Sequence, residues 1–147
     1  MQLLNIPIKK VDEVWSLVKK NIQEALSYSG NHTDSDFVYQ TIQDGKFQLW
    51  IVWDKSKKTV QEQYNGVVVT EIVKRKLKQS CNIFIVTGKN RQQWQHLISV
   101  LEDFALKNEC TNMELIARQG WEKIMEQFDY KKTHVVLEKT LTEKENK

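Results

Sequence analysis

The sequence predicts an α/β fold: a mixed, mostly antiparallel sheet with helices on both faces, in the order β-α-α-β-β-β-α-β-α-β. Three observations carry this. Residues 47–53, 67–73 and 81–86 are almost wholly apolar or aromatic, as strands buried on both faces are. The polar excursions between them bring the chain back, so 47–53, 67–73 and 83–86 should lie side by side in that order, largely antiparallel. Finally, Trp94, Leu97, Ile98, Leu101, Phe104 and Ala105 form one apolar helical stripe between two strands, which implies a β-α-β crossover.

The elements follow in order. Residues 2–8 read as a first strand. Val11, Val14, Trp15, Val18, Ile22, Ala25 and Leu26 recur at three- and four-residue spacing, the pattern of an amphipathic helix, which Ser29, Gly30 and Asn31 should end. Asp34 or Ser35 can cap a second helix through Gln43, closed by Asp44 and Gly45. The third helix starts after the strand at 81–86, and Asn90 with Gln93 has the spacing of a capping box. A strand at 112–117, a short helix marked by Trp121, Ile124, Met125 and Phe128, and a last strand at 132–141 complete the order. The polar end, 142–147, is expected to be disordered.

At 147 residues, with one proline and five glycines, the chain is expected to be one domain over 1–141, with no linker-rich stretch to divide it. No run approaches the roughly 18 apolar residues of a membrane span, and no signal-peptide pattern opens the chain. An intracellular or packaged protein without a membrane anchor is expected. The two cysteines, Cys81 and Cys110, read as buried thiols, and with three scattered histidines they make no metal-ligand spacing. The net charge of +3 is mild, so the basic run 74–78 reads as a solvated hairpin loop before it reads as a nucleic-acid contact.

Over residues 2–141 this element order resembles the GNAT superfamily of acetyltransferases. The C-terminal part, with Arg118-Gln119-Gly120-Trp121 after a strand and Phe128-Asp129-Tyr130 before lysines, is similar to short GNAT-like proteins of tailed phages. Val14-Trp15 and Gln48-Leu49-Trp50 also fit that group. The resemblance implies a GNAT-like fold and acetyl-CoA lying against the strand around Val86. The coenzyme's pyrophosphate would rest on the following loop, Gly88, Lys89, Asn90, Arg91 and Gln92. The family's loop usually carries two small residues, and here only Gly88 is one, so weak coenzyme binding is expected.

A helix N-terminus disfavours cations by some tenths of a kcal/mol, yet Lys89 and Arg91 flank this one. Either an anion rests there or both side chains point into solvent. Glu71 is the candidate general base, since alternation places it on the face of Val67, Val69 and Val73. The alternative is an edge carboxylate paired with a nearby lysine. Arg118 and Trp121 are candidates to line an acceptor pocket, although a tryptophan on an apolar helical face is often core. The tyrosine that serves as general acid in many members corresponds to Met125, which has no proton to give.

Two functions follow as expectations. One is an N-acetyltransferase acting on an amine of a small molecule or protein, in the cytoplasm. The other is a non-catalytic phage protein, packaged in the virion or directed at host proteins, with nucleic acid a less favoured partner.

Overall fold

A computed structural model describes residues 1–28, 33–117 and 119–142, in two units, Met1–Ile116 and Ala117–Lys147. The first unit holds a five-stranded sheet in the order β1-β2-β3-β4-β5. Its strands are β1 (Gln2–Ile6), β2 (Phe47–Trp53), β3 (Tyr64–Lys74), β4 (Gln79–Gly88) and β5 (Asn112–Leu115). The first four are antiparallel to their neighbours, and β5 runs parallel to β4. The expected adjacency of the three apolar strands is what the sheet shows.

One face is covered by α1 (Val11–Ser27) and α2 (Ser35–Gln43). Val18, Ile22, Leu26, Val38 and Ile42 pack there on Leu49, Ile51, Val67, Val69 and Ile85. Asp34 caps α2 by accepting the Phe37 N–H at 2.9 Å. Gly45, at φ +78°, then turns the chain into β2. The helix-ending residues Ser29, Gly30 and Asn31 lie outside the described residues, as do 143–147 of the expected disordered tail.

The other face carries α4 (Arg91–Trp94) and α5 (Ile98–Lys107), joined by a 3-10 turn at Gln95–Leu97. The sequence predicts one continuous helix here, with Asn90 and Gln93 as a capping box, and the structure corrects both points. Asn90 is left-handed (φ 56°, ψ 33°) and its side chain caps nothing. Trp94 leaves helical geometry (φ −129°, ψ −3°), with its indole N–H bonded to the Lys89 carbonyl at 2.7 Å. The stripe still packs as expected: Trp94 and Leu101 are buried with Trp50, Val52, Val68 and Ile83, and Leu97, Ile98 and Phe104 join them. Leu101→Ala is therefore expected to cost about 2–5 kcal/mol in a denaturant melt, and a loss under about 1 kcal/mol would remove Leu101 from the core.

Cys81 and Cys110 are both buried free thiols. Burial pushes the Cys81 thiol up to about 12, so it is protonated and inert at neutral pH. The polar excursion at 54–65 contains a feature the sequence reading lacks, the short α3 (Val60–Gln63), capped by Thr59.

The second unit contains α6 (Gln119–Glu126). The last strand expected at 132–141 is not formed: these residues have no regular structure, and Val135, Val136, Leu137 and Leu141 are exposed. Apolar composition marks a segment able to pair, but a strand exists only where a sheet edge receives it. Among the described residues no helix is long and apolar enough to cross a membrane.

Candidate functional site

Within the first unit the sheet parts between β4 and β5. β5 pairs with β4 from Ser80↔Asn112 to Ile83↔Leu115, so among the described residues β4 continues from Phe84 to Gly88 without a strand neighbour on that side. On its other side the register with β3 slips at the same point. Val69 faces Ile85 and Thr70 faces Ile83, which leaves Phe84 as the extra residue of a β-bulge. A bulge bends a strand and increases its twist. Bend and strand departure together leave a wedge whose wall is the backbone of residues 84–87. Those of its N–H and C=O groups that point away from β3 can pair with an extended, amide-bearing ligand as a strand would. Val86 is in this wall, half-buried opposite Val68.

Beyond the wall comes the loop of Gly88, Lys89, Asn90, Arg91 and Gln92. Gly88 has φ +151°, and a Cβ there would lie 2.2 Å from the Asn65 carbonyl oxygen and 2.4 Å from the Gly66 Cα. Glycine is thus required by packing against β3, where Gly66 pairs with it directly. The buried Asn65 organises the loop. Its carbonyl accepts the Lys89 N–H (2.8 Å), its Oδ1 accepts from Asn90 Nδ2 (3.0 Å), and its Nδ2 donates to the Gln63 carbonyl (3.0 Å). Sequence reasoning passed over Asn65; its one local signal is its place before Gly66 at a strand entry. Lys89 is exposed, and its ammonium donates to the Gln61 carbonyl at 2.8 Å. Arg91 is half-buried, and Gln92 is exposed. With only four residues, α4 offers little of the dipole that a longer helix would direct at an anion.

Glu71 lies toward the other end of β3, facing Phe47 on β2 and Asn82 on β4, hence on the face of Val67 and Val69 as alternation predicts. Gly66 faces Gly88 and Glu71 faces Asn82, so about 17 Å of strand separates the carboxylate from the loop. Glu71 is half-buried, and among the described residues no lysine or arginine lies within ion-pair distance of it. The lysine-paired alternative is therefore not what the structure shows. Glu71 instead borders an open cleft of about 720 Å³ shared by the ends of β2, β3, β4 and α5.

Arg118 lies outside the described residues, and Trp121 is on α6 in the second unit. The basic hairpin 74–78 is partly neutralised: Arg75 makes a bidentate pair with Glu114 at 2.7 and 3.0 Å, and Lys78 approaches the same carboxylate at 3.8 Å. Burial acts to raise the Glu114 carboxyl, but hydrogen bonds from Arg75 and Ser80 with the Arg75 and Lys78 charges outweigh it and leave it lowered. Such pairing weakens the nucleic-acid reading.

No protein-family model and no curated protein matches this sequence. Solved structures do match it along nearly its whole length. A "probable acetyltransferase" superposes with a TM-score of 0.69 at 11% identity, covering 99% of this chain and 100% of that one. An aminoglycoside acetyltransferase from an uncultured soil metagenomic sample, in complex with sisomicin, gives a TM-score of 0.62 at 12% identity, covering 96% of each chain. Glucosamine-6-phosphate N-acetyltransferase from Arabidopsis thaliana gives 0.63 at 13% identity, covering 96% of this chain and 98% of that one. Identity this low speaks for the backbone arrangement alone. The chain has the GNAT fold, which it shares with these structures.

Proposed function

We propose that this acetyltransferase-like chain is an N-acetyltransferase that takes acetyl-CoA along the open edge of β4 and passes the acetyl group to an amine. The observation that supports this most is the coincidence of the bulge at Phe84 with the departure of β5, which frees the backbone of residues 84–87 as a docking edge. The fit is good for an extended amide-bearing arm and poorer for a diphosphate. Lys89 gives its backbone N–H to Asn65 and one of its three ammonium hydrogens to Gln61, and Gly88 is used against β3. Val86 would hold the arm, with Asn90, Arg91 and Gln92 nearest the phosphates.

Acetyl-CoA would supply an acyl group already activated as a thioester. Glu71 would accept the proton that an acceptor ammonium must lose before its nitrogen can attack. Met125 has no proton to give a leaving thiolate, but a thiol of ordinary pKa near about 8.5 departs without an acid, so transfer does not require one. Similar structures named for acetylating aminoglycosides and glucosamine 6-phosphate support an amine acceptor.

Calorimetric titration with acetyl-CoA is the test. The expected affinity is micromolar or weaker, about −8 kcal/mol at best, falling with added salt. Lys89→Ala with Arg91→Ala should abolish it and leave the fold intact. No heat with millimolar acetyl-CoA at low salt would end the transferase reading. A second reading, a non-catalytic phage protein serving in the virion or binding host proteins, draws its support from the poor phosphate loop and from Met125.

A further inference from the structure

The row of side chains that crosses the sheet at Glu71 is set by register. Phe47 on β2, Glu71 on β3, Asn82 on β4 and Glu114 on β5 stand beside one another, each strand about 4.8 Å from the next. Residues directly opposite share a face, here that of Val67 and Val69. The two carboxylates of the row differ. Glu114 is held by Arg75 and Lys78. Glu71 and Asn82 are half-buried, and among the described residues neither side chain has a hydrogen-bond or ion-pair partner. Glu71 has thus lost part of its hydration without a compensating contact.

The β2 end of the same row is aromatic. The buried Phe47 meets a ring on either side: Phe37 of α2 edge-on, with centroids 6.2 Å apart, and Phe84 at 5.1 Å. The bulge is what turns Phe84 to this face. Ile83 packs with Leu101 on the other face, whereas Phe84 and Ile85 both pack with Phe47, Val67 and Val69, so two successive residues of β4 share one side. The aromatic wall is unfinished toward solvent. Phe37 keeps 52% of its surface exposed, and Phe84 is half-buried. Open ring surface therefore lies beside a carboxylate that no cation answers.

These features suit one ligand chemistry. An ammonium has three hydrogens to divide between the Glu71 carboxylate and the side-chain oxygen of Asn82. A flat apolar group a carbon or two away from it would cover Phe84 and Phe37, removing apolar surface of both partners from water. A bare small amine would gain only the ion pair, which is worth little at a half-exposed site. We infer that the acceptor is a primary amine carrying an apolar ring, its ammonium directed to Glu71 and Asn82 and its ring to Phe84 and Phe37. The inference rests on the proposed acetyl transfer for the word acceptor, but the binding chemistry can be tested apart from it.

The test titrates the intact protein, without coenzyme, with phenethylamine, ethylamine and 2-phenylethanol, which keeps the ring and lacks the charge. Phenethylamine should bind at least about tenfold tighter than either of the others, and added salt should weaken both amines but not the alcohol. Phe37→Ala removes an exposed ring, and Phe84→Leu keeps an apolar side chain in place of a ring. Both variants should fold, as a thermal melt would show, and should reduce the preference for phenethylamine at least about threefold while ethylamine stays within about twofold. Glu71→Gln should weaken both amines and leave 2-phenylethanol unchanged. A preference below tenfold over either compound, no heat from phenethylamine at about 10 mM, or a preference that survives both ring variants would overturn the inference. The acetyl-CoA titration of the same samples judges the transferase reading separately: heat with acetyl-CoA but no preference for the ring-bearing amine sinks only the inference, and the reverse sinks only the transferase.

Discussion

Gly88→Ala is expected to destabilise the protein by about 3–5 kcal/mol, at the upper end for a single substitution. The added methyl would lie 2.2 Å from a backbone oxygen and 2.4 Å from a Cα, both on β3, so no side chain can swing away to admit it. The conformation, φ +151°, is itself one that residues with a Cβ avoid. Moving β3 would also break the Asn65 carbonyl from the Lys89 N–H and disturb the Asn65–Asn90 contact, which sets the loop. In a thermal melt the midpoint should fall by roughly 10–15 °C. Gly120→Ala is the control. Nothing lies within 4 Å of a Cβ there, and in a helix the change should be neutral or stabilising by about 0.5–1 kcal/mol. If Gly88→Ala melts within a few degrees of the parent, packing against Asn65 and Gly66 is not why a glycine stands at this position.

This result would separate two explanations that look alike in sequence. A glycine after a buried strand and before a helix suggests a phosphate cradle. Here the missing side chain faces the backbone of β3 at Asn65 and Gly66, and only the register Gly66↔Gly88 shows it. The strands themselves were legible because continuous apolar runs such as Phe47–Trp53 can be buried on both faces and little else. The stripe from Trp94 to Ala105 was legible as a core face, but not its break, because the indole bond from Trp94 to the Lys89 carbonyl is a tertiary contact with no periodic signature. The expected strand at 132–141 shows the same limit: composition says that a segment can pair, not that it does. The Glu71 cleft lay beyond sequence reading for a similar reason. Lys46, Gln48, Lys74 and Lys107 are unremarkable where they stand, and topology alone collects them. The face on which Glu71 stands was legible because parity along β3 is a local property.

Glu71→Gln is expected to lower the rate of acetylation of an amine acceptor by about 10²–10⁴-fold, the range general-base catalysis supplies. Glutamine keeps the size and loses the basicity, so the sheet should be undisturbed. Acetyl-CoA affinity should not change, since about 17 Å of strand separates residue 71 from the coenzyme loop. This split distinguishes a base from a residue that shapes the site. A positional defect would alter donor binding or stability, whereas loss of a base leaves both and removes the dependence on a deprotonated carboxylate. A variant retaining more than a third of the parent rate would exclude Glu71 as the base and make water or the acceptor's own free-amine fraction the source of the nucleophile. What makes the expected outcome a strong one is that the other carboxylate among the residues bordering the cleft, Glu109, is exposed, where water screens it.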